Sequence, residues 1–221
     1  MNEIPTSKIK VFQHTMLHYW KSIGRHDLPW RTTDDPWQIL LAEILLRKTT
    51  SKQALSVFEQ LKAVRPEVMR DMDSSELAEI LKPLGIHEVR AQQIKDIAAG
   101  VVENDDESLL SDDFLRSFRG IGRYISNSVR CCAFGVDVPA LDTNMIRVIQ
   151  RVFGWQSERK RAREDKKLWA FAETLVPANK CREFNWGVLD FGALVCTHRN
   201  PKCADCLLNQ HCNYYRAMSS E

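Results

Sequence analysis

RGIGRYISNS, residues 119–128, joins two segments of helical periodicity, FLRSF before it and YISNSVRCCAF after it. Two glycines stand one residue apart with an arginine on each side. A glycine at 120 can end the first helix in a left-handed conformation. Gly122 lets the backbone turn tightly, with no Cβ in the way. The next helix then opens with free N–H groups and a partial positive charge. Backbone donors at such a turn make an anion site, and Arg119 and Arg123 add charge beside it. A DNA phosphate fits this description. An ordinary corner between two helices with solvated arginines fits it as well, and a lone Gly-x-Gly does not choose between them.

Working outward, the pattern is helical almost throughout. Asp35-Pro36 reads as an N-cap followed by proline in the first turn. It opens what reads as one long apolar helix, WQILLAEILLRKTTSKQALSVFEQL, residues 37–61. Asp73 with Glu76 resembles a capping box. HEVRAQQIKDIAAGVVE keeps the 3.6-residue rhythm, with Val89, Ile94, Ile97, Ala98 and Val101 on one side. Ser111 can cap DDFLRSF. TNMIRVIQRVF starts after Asp142 and stops at Gly154. KKLWAFAETLV and REFNWGVLDFGALV follow. No run reads as a strand bounded by hairpin turns, and VDVPAL, short and with a proline, reads as a loop. The expected class is all-α, with roughly ten helices.

The 221 residues allow one large domain or two small ones, and the apolar share of 44% is enough for a core. A net charge of +2 neither demands nor excludes a polyanion. Its distribution says more: acidic residues crowd 105–113, and basic ones gather at 116–130, 147–167 and 197–202. No apolar run approaches the ~20 residues that cross a bilayer. MNEIPTSKIK has no apolar signal region. The expectation is a soluble, cytoplasmic, prokaryotic protein with no membrane partner.

Seven cysteines, an odd number without an export signal, argue against a disulfide framework. Cys131, Cys132 and Cys181 lie in helical stretches and read as buried thiols. The other four fall in VCTHRNPKCADCLLNQHC, residues 195–212, spaced Cys196-x6-Cys203-x2-Cys206-x5-Cys212. Four thiolates so close together signal a metal site. One C-x-x-C with single cysteines on either side suits a compact four-thiolate site such as a [4Fe–4S] cluster. Spacing by itself leaves zinc open. The loop THRNPK between the first two cysteines carries His198, Arg199 and Lys202. Tied at both ends, it has already lost much of its freedom and suits phosphate contact.

The hairpin FRGIGRY, then VPALDTNMIRV, then Cys-x6-Cys-x2-Cys-x5-Cys, in that order and at these separations, resemble the helix-hairpin-helix superfamily of base-excision DNA glycosylases. The likeness is to the branch with a C-terminal [4Fe–4S] cluster, which includes endonuclease III and the adenine and thymine/uracil mismatch glycosylases. DLPWR at 27–31, DPWQILLAEILLRKTT at 35–50 and FNWGVLDFGALVC at 184–196 extend it over nearly the whole chain. Within the branch the chain is most similar to the thymine-mismatch glycosylases of archaeal type. One departure is that Phe118-Arg119 replaces the Leu-Pro that often precedes the family's Gly-x-Gly.

The resemblance implies two helical lobes. Residues 23–133 would form a helical barrel, with the helix-hairpin-helix at about 112–133. Residues 1–22 and 134–221 would form the iron–sulfur domain. An active-site cleft between them would gather Tyr124, Asp142 and Glu43. Breaking an N-glycosidic bond builds oxocarbenium character on the sugar, which a nearby carboxylate stabilises. Asp142 matches the family's aspartate, although it also stands at an ideal N-cap. Glu43, the one charged residue in QILLAEILL, matches an active-site glutamate that addresses the flipped base or its water. Burial there would raise its pKa. Tyr124 replaces the lysine with which the bifunctional relatives form a Schiff base, so the expected reaction is hydrolysis without strand cleavage.

The target must leave the stack. Lys48 matches the residue that the family inserts into the duplex, and Ile86 matches an apolar wedge. Arg47 is expected to join Lys48 in contacting DNA, and both stand where adenine-specific relatives carry glutamines. The expectation is therefore a monofunctional glycosylase for thymine or uracil opposite guanine. It would act as a monomer on double-stranded DNA with a mismatched or damaged base, and hand an abasic site to a downstream endonuclease. The alternatives are adenine removal opposite 8-oxoguanine and a non-catalytic damage-binding clamp. The end of the chain nine residues after Cys212 weighs against the first. The presence of both Asp142 and Glu43 weighs against the second.

Overall fold

The computed structural model describes residues 4–219. The outer limits of the expected iron–sulfur domain, residues 1–3 and 220–221, lie outside the described residues. The chain runs α1 (Thr6–Ile23), α2 (Pro36–Leu45), α3 (Ser51–Leu61), α4 (Pro66–Asp71), α5 (Ser74–Leu81), α6 (His87–Asn104), α7 (Asp112–Ser117), α8 (Arg123–Phe134), α9 (Thr143–Phe153), α10 (Lys166–Leu175), α11 (Cys181–Leu194) and α12 (Asn213–Met218), with short 3-10 turns between. The all-α expectation holds, and no strand occurs among the described residues. Among the described residues no helix is long and apolar enough to cross a membrane.

Two compact units divide the chain. One is His26–Phe134; the other joins the residues up to Arg25 with those from Gly135 onward. In the first unit α2 is the central helix, in contact with α3, α6 and α8. Its Leu40, Leu41, Ile44 and Leu45 are fully buried, along with Val57 and Phe58 of α3 and Val129 of α8. Each such side chain contributes on the order of 1.5–3 kcal/mol on burial. Asp35 caps α2 by accepting from the amides of Trp37 and Gln38, Asp73 caps α5 through those of Ser75 and Glu76, and Ser111 caps α7.

Three expectations are corrected. The long helix over 37–61 is two helices, broken at residues 46–50. Thr50 and Gln53 form a reciprocal capping box that starts α3 afresh. Lys48 in the break has a left-handed φ of 56°. Val89 is exposed, and the inward position it was assigned belongs to Arg90 and Ala91, which lie one turn before Ile94. Gly122 is not in a left-handed conformation, and a Cβ there would touch nothing. The tight turn is made at Gly120, with φ +87°.

In the second unit α1 packs on α11, and α9 on α11 and α12. Gly187 allows the first pairing, since a Cβ there would collide with the carbonyl of Met16. Phe12 of α1 meets Phe153 and Phe184 edge to face, within a core that includes Met16, Val148, Leu168 and Phe191. On α11 the fully buried Asp190 is satisfied by Arg25, whose amide donates at 2.9 Å and whose Nε donates at 2.7 Å.

Candidate active site and metal centre

Glu43 projects from α2 toward α8. Its Oε1 accepts from Ser128 Oγ at 2.5 Å and lies 3.4 Å from the hydroxyl of Tyr124. Tyr124 and Ser128 are four residues apart, so they share one face of α8 immediately after the hairpin. The sequence reading put Glu43 and Tyr124 in one site and missed Ser128. The signal available was that i, i+4 spacing. Glu43 is half-buried rather than deeply buried, and hydroxyl donors offset its desolvation.

In the hairpin, Arg119, Gly120 and Gly122 are exposed and Arg123 is half-buried. Ile121 is buried and anchors the turn. Arg47 belongs to the break after α2, where Lys48 is exposed. Arg47 Nη1 donates to Gln93 Oε1 at 2.8 Å, and Gln93 Nε2 donates to the Arg119 carbonyl at 2.9 Å. Ile86 takes a left-handed φ of 45° at the N-cap of α6 and is 57% exposed. A β-branched residue rarely adopts that conformation.

Asp142 lies in the second unit, at the N-cap of α9. Its Oδ1 accepts from the Met145 amide at 2.7 Å and its Oδ2 from Asn144 Nδ2 at 2.8 Å. Burial pushes its carboxyl above the ordinary carboxylate range, against those hydrogen bonds and the charge of Arg147, which pull it down. Arg147 donates to Asn144 Oδ1 at 2.8 Å, to the Gly192 carbonyl at 2.6 Å and to the Cys196 carbonyl at 2.9 Å. Asn144 and Arg147, both missed in sequence, thus fix the carboxylate and tie it to the first cysteine of the C-terminal cluster.

Cys196, Cys203, Cys206 and Cys212 line one recess beside Arg151, Pro201 and Leu208. Arg151, one turn after Arg147, donates to the sulfur of Cys196 at 3.4 Å and to the carbonyls of Thr197 and His198 at 2.7 and 2.9 Å. The amide of Leu208 donates to the sulfur of Cys206 at 3.4 Å. Burial and neighbouring sulfurs push the thiols of Cys203 and Cys206 up. Four sulfurs that repel one another as anions, around one recess with N–H donors aimed at two of them, form a donor set that fits a cationic metal centre. Among the described residues no three His, Cys, Asp or Glu side chains close on a single ion. His198, Arg199 and Lys202 are exposed on the loop that Arg151 pins.

An all-α chain with a glycine hairpin, a carboxylate at a helix N-cap and a C-terminal four-cysteine recess defines a class. Residues 41–173, which include Glu43, the hairpin and Asp142, match the HhH-GPD superfamily of base excision DNA repair proteins, and the chain belongs to that family. It is similar to the thymine/uracil-DNA glycosylase of Pyrobaculum aerophilum, with 41% identity covering 93% of this chain and 92% of that one. It is also similar to the thymine/uracil-DNA glycosylase of Methanothermobacter thermautotrophicus, with 38% identity covering 100% of both. Its fold matches the structure of a thermostable thymine-DNA glycosylase with a TM-score of 0.87 at 39% identity, covering 96% of this chain and 98% of that one.

Proposed function

We propose that this chain is a monofunctional DNA glycosylase that hydrolyses the N-glycosidic bond of thymine or uracil mispaired with guanine. Family membership and the names of its relatives support the reaction class. The observation that carries the monofunctional reading is Tyr124, whose hydroxyl lies beside Glu43 where bifunctional relatives place a nucleophilic amine. A phenol cannot form a Schiff base with the sugar.

In this reading the C1′–N bond of a flipped nucleotide breaks and the base leaves with the electron pair. Water adds to C1′ and gives up a proton, leaving an abasic sugar. Asp142, ionised, stabilises the cationic sugar. Its N-cap position favours the charged form through the helix dipole and the Met145 amide. Glu43, held by Ser128 and Tyr124, addresses the base edge and the incoming water. The hairpin, Arg119 and Arg123, with His198, Arg199 and Lys202, grip phosphates, while Lys48 and Ile86 fill the space that the base vacates. Cys196, Cys203, Cys206 and Cys212 would hold a [4Fe–4S] cluster, which when bound cross-links the C-terminal loop. The product duplex passes to an abasic-site endonuclease.

End-labelled duplexes carrying G:T, G:U and A:8-oxoguanine, split into alkali-treated and untreated halves, test the proposal. Breaks at T or U that need alkali are expected; breaks at A would move the target to adenine, and breaks without alkali would overturn the monofunctional reading. Iron and acid-labile sulfide are expected near four each per chain, and one zinc per chain would sink the cluster. Tyr124→Lys is expected to yield a borohydride-trapped DNA adduct, whose absence would mean that residue 124 does not face the sugar.

A further inference from the structure

Two turns of the His26–Phe134 unit, residues 46–50 and 119–122, are bound to the same helix. From α6, the buried Arg90 donates through Nη2 to the carbonyl of Arg47 at 3.1 Å and through Nη1 to that of Ile44. These two carbonyls flank the end of α2, whose last C=O groups have no partner within the helix. Arg90 thereby holds the backbone around Lys48, whose left-handed conformation is unfavourable for an L-residue and persists when its surroundings impose it. One turn along α6, Gln93 bonds the Arg47 side chain with its oxygen and the Arg119 carbonyl with its nitrogen. The Arg47 guanidinium and the Gln93 amide lie over Gly120: a Cβ there would stand 2.9 Å from Arg47 Nη1 and from Gln93 Nε2. Gly120 is therefore required by its φ, and its missing Cβ also leaves room for these two side-chain ends. Ile86 caps the same helix.

We infer that Arg47 is a positioning residue, and that Arg90, Arg47 and Gln93 form a strut holding the Lys48 turn in register with the hairpin. In the DNA reading proposed above, on which the functional part of this inference rests, insertion of Lys48 and the grip on phosphate are then one event. Arg47, half-buried and bonded to Gln93, adds no phosphate contact.

The first test needs no DNA. The amides of Thr49 and Ile121 are hydrogen-bonded within the two turns, to the carbonyls of Leu46 and Phe118, and their hydrogen exchange reports each turn separately. In Gln93→Ala both should exchange about tenfold faster, roughly the ratio set by one lost hydrogen bond. Gln93→Glu keeps an acceptor for Arg47 and loses the donor to Arg119, so it should loosen Ile121 and spare Thr49. Faster exchange at neither amide in Gln93→Ala, or equal effects in Gln93→Glu, would overturn the strut. The second test uses DNA. Gln93→Ala and Arg47→Met should bind matched duplex with the wild-type salt slope, yet give a weaker flipping signal from 2-aminopurine beside a G:T pair. A slope lowered by about one in Arg47→Met would make Arg47 a phosphate contact and overturn its assignment. Failure of the wild-type protein to bind any duplex would count against the DNA reading, with the exchange result still judging the strut.

Discussion

Asp142 is held by its own helix, and Glu43 by a different one. The aspartate accepts from the Met145 amide three residues on and from its near neighbour Asn144. The glutamate, on α2, accepts from Ser128 and lies beside Tyr124, both on α8, more than eighty residues away in the chain. A local cap fixes a carboxylate as soon as its helix forms. A carboxylate bound across helices is fixed only when both helices are packed. The first arrangement depends on the rest of its unit only through Arg147, which holds Asn144, whereas the second makes Glu43 hostage to the α2–α8 contact.

The largest expected effect comes from changing charge without changing the cap. Asparagine is as good an N-cap as aspartate, so Asp142→Asn should keep α9 and duplex binding while lowering single-turnover base release by on the order of 10³-fold. A rate within about threefold of wild type would remove Asp142 from the chemistry. Burial raises the folded-state pKa of Asp142 above the ordinary carboxylate range, so ionising it costs stability as pH rises through the raised value. At neutral pH, Asp142→Asn should therefore melt at a higher temperature than wild type. A lower melting temperature would mean that the carboxylate's hydrogen bonds outweigh its burial.

A smaller effect should follow on the other side of the comparison. Ser128→Ala removes the shorter hydrogen bond to Glu43, a bond to a charged group worth about 1.5–3 kcal/mol. The rate of base release should fall about tenfold, with duplex affinity unchanged, and Ser128→Thr should recover part of the loss. A hydroxyl that only fills space would give no rate effect. The smallest effect is a displacement along the pH axis. Since Asp142 must be ionised to act and its pKa is raised, the rate should fall as pH drops while still above the ordinary carboxylate range. That limb should be absent from the residual activity of Asp142→Asn. An unchanged limb in the variant would assign it to another group, with Glu43 the next to test.

The contrast between the two carboxylates also explains what could be read in advance. The Asp142 cap, the Gly154 terminus and the Ser111 cap are short-range patterns, and each stands where the sequence puts it. The break at 46–50 was written in Thr50 and Gln53, but the apolar rhythm running through it hid the cap. Val89 was assigned inward because periodicity gives an angle and not a depth. At the start of α6 the inward position is filled by Arg90, a charge that no hydrophobic pattern would place there. Ser128 had only its i, i+4 spacing from Tyr124 as a signal: a serine on a helix takes a role from what faces it.

The sequence by itself determined the helical class, the left-handed glycine at 120, the caps at Asp35, Asp73, Ser111 and Asp142, the four-cysteine set and the family, because each rests on residue types at short, fixed spacings. Tertiary structure decided that Ser128 joins Tyr124 on Glu43, that Arg147 ties Asp142 and Asn144 to the backbone of Cys196, and that Arg47 turns inward to Gln93 and Gly120. These are contacts between segments tens of residues apart. They exist because apolar faces of separate helices must share one core, and the polar groups carried along must find partners wherever that packing leaves them.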